Sequence, residues 1–292
     1  MKLYIIILIC FIIYTLLNVK KKSNENFENI SKLNIKIPKI IWTYWESEDL
    51  PPFVQGCINT WYKYNPDYKI NILNRNNINN YLDFDVYNLK MADSQQRISD
   101  FIRLNVLATN GGFWIDASII LNQSLEWIRD LNVDVMCYSI DHIRTPDITY
   151  PVIESWFFAC IPNSDYVTKW RDEFMTINNF DNPQLYIDDV KNRSADLSSQ
   201  WCSTYLLIHV AAQAVLQLHK TSSTMKVLDA RSTAFNHLRF SSNPTDIEEG
   251  LNNICTDSPE PVIKIRGIDR GYMKENMDKV SCLLNFLEIN NV

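Results

Sequence analysis

Asp100, Arg103 and Asp116 are the residues whose types and spacing first point to chemistry. They lie in residues 99–118, SDFIRLNVLATNGGFWIDAS. Asp100 and Arg103 stand three apart, on one side of a predicted helix in which Ile102, Leu104, Val106 and Leu107 supply a buried apolar face. Gly111-Gly112 stops that helix, because glycine tolerates the left-handed turn after a last helical residue. The chain holds only six glycines, so two side by side mark a backbone constraint. Phe113-Trp114-Ile115 reads as a short buried strand, and Asp116 falls where it runs out, the place where open α/β sheets bind ligands. Carboxylates there can hold a hard cation or hydroxyl groups, and a guanidinium offers its fixed fork of donors to an anion. Taken singly, Asp116 could be a cap and Asp100–Arg103 a surface ion pair. The ordered set Ser99-Asp100, Arg103, Gly111-Gly112 and Asp116 is much harder to reach by chance.

The elements that must position this set can be read around it. Lys39–Tyr44, entered through Pro38 and carrying Trp42 and Tyr44, predicts a first strand. Ile58, Trp61 and Tyr62 predict a helix over it, and Tyr68–Leu73 a second strand. Val133–Ser139 and Ile153–Cys160 read as further buried strands. Glu154 opens the latter's apolar run ESWFFAC, where an unpaired charge is costly. Either a site carboxylate or a salt bridge to an arginine such as Arg144 accounts for it. Tyr205–Leu218 predicts a helix with His209 and Gln213 four apart on one face, although a lone helix histidine is more often a satisfied core or surface residue. Strands alternating with helices at this spacing imply an α/β nucleotide-binding sheet.

With these residues in place, the chain resembles the retaining glycosyltransferases of the Och1-like and capsular-polysaccharide-synthesis type, which are akin to the sugar-transferring clostridial toxins. Their pattern is an Asp, an Arg three residues on, a Gly-Gly turn, an aromatic and then Asp-x-Asp. Here it stands as Asp100, Arg103, Gly111-Gly112, Trp114 and Asp116, with Ser118 departing from the last acid. The likeness runs over most of residues 37–240, including IPKIIWTYWES at 37–47, PVIESWF at 151–157 and IHVAAQ at 208–213. The resemblance implies a GT-A-type nucleotide-diphospho-sugar transferase fold, a Rossmann-like mixed sheet flanked by helices. It implies a UDP- or GDP-sugar donor, a glycan or polysaccharide acceptor, and transfer with retention of anomeric configuration. It places Trp42, with Tyr44 and Trp114, on the donor side, Trp42 stacking on the base, although the residues alone favour Trp42 as a plain core residue of the first strand. Asp100 would hold sugar hydroxyls, Arg103 phosphate oxygens, and Glu154 the acceptor hydroxyl or the sugar. Mn²⁺ or Mg²⁺ would sit on Asp116 and Ser118, unless the serine marks a weaker metal dependence. His209 and Gln213 would border the site.

Leu3 to Val19 runs without a charge and is followed by Lys20-Lys21-Lys22. At about 1.5 Å per residue it is just long enough to cross a bilayer, and no small-x-small cleavage site follows. The expected organisation is a membrane anchor over 1–22, a polar stem over 23–36 and a catalytic domain over 37–292. Lys2 and the three lysines compete over orientation, so the cytoplasmic face and a Golgi-type lumen both stay open. A net charge of −6 and a pI near 5.3 argue against nucleic acid, which is held by clustered Lys and Arg. Seven cysteines without a C-x-x-C spacing leave disulfides open, isolated cysteines in apolar settings more often being buried thiols. Sequons at Asn29, Asn122 and Asn192 matter only in a secretory lumen. The chain lacks a Walker loop, H-E-x-x-H and G-x-S-x-G, which weakens a hydrolase or phosphotransferase. A membrane-tethered, non-catalytic sugar or nucleotide-sugar binder with a degenerate metal site is the alternative that Ser118 supports.

Overall fold

The β-branched and aromatic run Ile40–Tyr44 forms strand β1, followed by β2 (Lys69–Leu73), β3 (Gly112–Ile115), β4 (Ile119–Leu121), β5 (Val135–Ser139), β6 (Ile153–Cys160), β7 (Met225–Asp229) and β8 (Val262–Lys264). The helices are α1 (Pro52–Tyr64), α2 (Gln95–Asn110), α3 (Glu126–Arg129), α4 (Asp165–Met175), α5 (Pro183–Asn192), α6 (Leu207–Leu218), α7 (Pro244–Asp257), α8 (Gly267–Glu275) and α9 (Ser281–Phe286). In this computed structural model the described residues are 35–140, 149–197, 202–238, 241–257 and 260–289. The expected anchor over 1–22, nearly all of the stem and Arg144 lie outside them. Among the described residues no helix is long and apolar enough to cross a membrane. Residues Ile37–Val292 make one compact unit.

Six strands form a mixed sheet in the order β2-β1-β3-β6-β5-β7. β1 pairs in parallel with both β2 and β3, and β6 runs antiparallel between β3 and β5. Period-two alternation sends neighbouring residues to opposite faces, and both faces are buried. Trp42, Trp114 and Phe158 join a core with Phe101, Ile102 and Trp170 on one side. Ile41, Phe113 and Phe157 join Trp61, Ile58 and Val54 on the other. The expected elements are thus present, with ends shifted by one or two residues: Ile40 for Lys39, Lys69 for Tyr68, Val135 for Val133 and Leu207 for Tyr205.

Gly111 and Gly112 have the physical reason their adjacency predicts. Gly111 closes α2 at φ 63°, its N–H donating to Leu107 O at 2.9 Å. Gly112 sits at φ 97°, and a Cβ on it would lie 2.4 Å from Ile40 O. Only glycine lets β3 approach β1 this closely after such a turn. Separately, β4 and β8 form a two-stranded antiparallel sheet in the register Ile119↔Lys264, Ile120↔Ile263 and Leu121↔Val262. The cysteines divide: Cys57, Cys137 and Cys160 are buried thiols as expected, whereas Cys255 and Cys282 form a disulfide that ties α7 to α9.

Candidate active site at the end of strand β3

β3 delivers Asp116 to the point where the chain leaves the six-stranded sheet. Its backbone N–H donates to Trp156 O at 2.9 Å and its carbonyl accepts from Ile119 N–H at 3.0 Å, so a tight turn leads directly into β4. Ser94 caps α2, its hydroxyl accepting from Arg97 N–H, and the helix carries Asp100 and Arg103 to the same place. The Arg103 guanidinium is fixed on several sides. It donates to Ser155 O at 2.6 Å, Ser99 O at 3.3 Å and Ser99 Oγ at 3.0 Å. It also lies 3.3 Å from Asp100 Oδ1, 3.5 Å from Asp116 Oδ1 and over the Trp114 ring at 5.0 Å. Asp100, Arg103, Asp116, Ser118, Glu154, His209 and Tyr44 all line one cleft of about 1210 Å³.

The two aspartates are tuned in opposite directions. Burial pushes the Asp100 carboxyl up to about 6, with Asp116 adding to the rise and Arg103 opposing it. At Asp116 burial also acts upward, yet Lys264, Arg103 and the hydrogen bonds from Lys264 and Trp114 outweigh it and hold the group below the usual carboxylate range. Asp116 stays ionised because cations surround it. Burial and the Glu46 carboxylate raise the Tyr44 phenol, which is hydrogen-bonded to Glu46 and lies 3.0 Å from Tyr87 Oη.

Three sequence-based placements need correction. Trp42 does not line the cleft: it is 3 % exposed, its Nε1 donates to Gly111 O at 3.0 Å, and Tyr81 packs edge-on against it at 5.3 Å. It is a core residue that ties β1 to the Gly-Gly turn. Trp114 is also buried and acts from behind, its Nε1 donating to Asp116 Oδ1 at 3.0 Å. Gln213 points its amide at Tyr150 O and Pro151 O, at 3.0 and 2.8 Å, and so holds the segment before β6 rather than the cleft. Glu154 is buried in the cleft wall, and its Oε2 accepts from Trp156 Nε1 at 2.8 Å.

Asp116 and Ser118 meet a lysine. Lys264 Nζ lies 2.8 Å from Asp116 Oδ2 and 3.5 Å from Ser118 Oγ. The other Asp116 oxygen is held by Trp114 and faces Arg103. Mg²⁺ and Mn²⁺ need at least one or two carboxylates free to join waters and substrate phosphates around the ion, and among the described residues no group of three or more His, Cys, Asp or Glu is arranged to hold a metal, so the site would rest on Asp116, whose two oxygens are held by Lys264 and Trp114. One carboxylate already paired with an ammonium, plus one hydroxyl, does not fit Mn²⁺ or Mg²⁺.

Sequence reasoning missed Lys264 together with Arg266, Arg270 and Lys274, which line the same cleft. The signal for the first three is the basic run KIRGIDR at 264–270 in an acidic chain. Arg266 is held by Asp269, which accepts from its guanidinium at 2.7 Å. Trp156, stacked on Tyr138 at 4.9 Å between ring centres, and Trp45, just past β1, also line the cleft.

Among known proteins, the chain is 30 % identical over 161 residues to the O-glycosyltransferase braB of Annulohypoxylon truncatum, an alignment covering 47 % of this chain and 37 % of that relative. Solved structures similar to it include the galactosyltransferase LgtC in complex with donor and acceptor sugar analogs (11 % identity, 83 % of this chain and 95 % of that chain, TM-score 0.42). Another is the UDP-bound glycosyltransferase domain from the YGT toxin (10 % identity, 88 % and 95 % coverage, TM-score 0.40). Residues 11–184, more than half of the chain and the span that includes Asp100, Arg103 and Asp116, match the capsular polysaccharide synthesis protein family, and the chain belongs to that family.

Proposed function

We propose that this chain is a glycosyltransferase of GT-A type that moves a sugar from a nucleoside-diphosphate donor to a hydroxyl of a glycan or polysaccharide acceptor. The observation that carries the reading is the convergence of Asp100, Arg103, Asp116 and Lys264 at one strand end, in one cleft. The carboxylates suit sugar hydroxyls, and the basic wall of Lys264, Arg266, Arg270 and Lys274 suits a diphosphate. A cleft of about 1210 Å³ exceeds what one small ligand fills, which leaves room for donor and acceptor together. The braB relative, itself an O-glycosyltransferase, supports the same activity class.

In the reaction the bond from the anomeric carbon to the diphosphate oxygen breaks, and its electron pair stays with the diphosphate. A bond to the acceptor oxygen forms on the same face, and the acceptor proton passes to a diphosphate oxygen. Asp100 holds donor hydroxyls, and Arg103, fixed by Ser99 and Ser155, keeps both aspartates in place. Glu154 and His209, which line the same cleft, would serve the acceptor. Tyr44 and Trp45 take the nucleoside end, the role that buried Trp42 cannot fill.

Leu3–Val19 would tether the enzyme to a membrane, and the Cys255–Cys282 disulfide favours an oxidising lumen over the cytoplasm. The test is nucleoside diphosphate release from a panel of UDP- and GDP-sugars. The wild type should turn over at least one, and Asp116→Ala should lose release. Ligand-induced thermal stabilisation without release from any donor would favour the non-catalytic binder.

A further inference from the structure

The pairing of Lys264 with Asp116 and Ser118 has a consequence for how a diphosphate is neutralised, which rests on the transferase reading above. A divalent cation bound to Asp116 Oδ2 would sit at about 2.1 Å from that oxygen, within the space that Lys264 Nζ fills at 2.8 Å. The lysine is not a loose surface group. Its side chain is 13 % exposed, and the ammonium lies over the Trp156 ring at 5.8 Å. Trp156 is in turn fixed by Glu154 through its indole N–H and by stacking on Tyr138.

The backbone fixes the lysine too. Lys264 is the last residue of β8 and is paired with Ile119, the first residue of β4. Ile265 N–H donates to Ser118 O at 3.4 Å, and Ile119 N–H donates to Asp116 O at 3.0 Å. The β4–β8 register therefore places the ammonium between the two side chains that a metal would need. Arg266, Arg270 and Lys274 line the same cleft, Arg266 being paired with Asp269.

We propose that Lys264 supplies, in place of a divalent cation, the positive charge that offsets the diphosphate, so that nucleoside diphosphate binding does not depend on metal. As the bond from the anomeric carbon to the diphosphate oxygen breaks, the electron pair stays on that oxygen and the ammonium donates a hydrogen bond to the diphosphate without transferring its proton. Ser118 is then not a defect. Asp116 already pairs with Lys264, and a second carboxylate at position 118 would leave the pair net negative where the diphosphate must bind.

The test is calorimetry of UDP and of GDP with the full-length chain, in EDTA and in Mn²⁺, alongside Lys264→Gln and Lys264→Arg. The wild type should bind one of the two with constants that differ by less than about threefold between the conditions. Lys264→Gln should weaken that binding about tenfold or more, the loss of a charge-assisted hydrogen bond, and Lys264→Arg should recover part of it. Binding by the wild type in Mn²⁺ that disappears in EDTA would overturn the proposal and leave the transferase reading standing. Absence of binding under both conditions would overturn both. Metal-independent binding that Lys264→Gln leaves unchanged would also overturn the proposal, and Lys264→Met gives the same comparison if Lys264→Gln does not fold.

Discussion

Lys264 Nζ stands 2.8 Å from Asp116 Oδ2 although 148 residues separate them in the chain. The pair joins the strand-end acid of β3 to the last residue of β8, and it fixes the electrostatics of the cleft. Replacing either partner alone leaves the other's charge partly buried without its compensation, which costs more than the pair contributes.

That relationship predicts how a metal requirement could be created. Ser118→Asp alone should leave UDP binding insensitive to Mn²⁺, because the new carboxylate meets Lys264. The double variant Lys264→Ala, Ser118→Asp offers Asp116 Oδ2 and a second carboxylate without the ammonium, and its UDP affinity should rise about tenfold or more on adding Mn²⁺. Titration calorimetry measures both. The same Mn²⁺ response in the single and double variants would show that Lys264 does not control the site.

Asp100 predicts a pH dependence. Its carboxyl titrates at about 6 in the folded chain against an ordinary value of 3.8. Between those values the folded state keeps a proton that the unfolded chain has released, so this group's effect on stability becomes less favourable as pH rises from about 4 to about 6. At about 1.4 kcal/mol per unit the change is a few kcal/mol. Asp100→Asn should therefore be more stable than wild type above about pH 6 and lose that advantage at about pH 4, while its turnover falls. Urea midpoints of both proteins across this range check the sign. Turnover of the wild type should fall as pH drops through about 6, because hydroxyl binding needs the carboxylate.

The two tryptophans of β1 and its exit separate packing from binding. Trp42→Ala should cost about 3–5 kcal/mol of stability and leave the nucleotide affinity of the folded fraction intact. Trp45→Ala should weaken UDP binding by about 1–3 kcal/mol with little change in Tm. Thermal melts and calorimetry on both variants would expose a reversed assignment.

These residues also show how far a sequence can be read. The α2–Gly-Gly–β3 unit was legible because its signals are local: helical spacing, two glycines at positive φ, a short apolar strand and an acid at its end. Trp42 was placed on the base by resemblance alone, whereas its own residue type in a buried strand pointed to core, because alternation tells which residues share a strand face but not which face meets ligand. In this sheet both faces are core, and the cleft opens at the strand ends, lined by the last residue of β1 and early residues of β6. Gln213 shared His209's helix face and still turned to the Tyr150 and Pro151 carbonyls, contacts that helical periodicity cannot reveal. Lys264 was invisible for a different reason. Its place depends on the antiparallel register of β4 and β8, strands of three residues each whose pairing nothing local specifies.

The Cys255–Cys282 disulfide closes a separation of 27 residues, worth about 3–4 kcal/mol of unfolded-state entropy. It holds α7 against α9, and Leu284 of α9 lines the cleft. Cys255→Ser, or dithiothreitol on the wild type, should lower Tm by several degrees, an effect that the other should not add to. Equal melts with and without reductant would show that the bond does not stabilise the fold.

A crystal structure of the full-length chain with UDP tests the central claim most directly. The diphosphate should lie in the cleft, with an oxygen within hydrogen-bonding distance of Lys264 Nζ and the uracil beside Tyr44 and Trp45. A nucleotide bound away from the Asp116–Lys264 pair, or with its diphosphate turned from the basic wall, would contradict it.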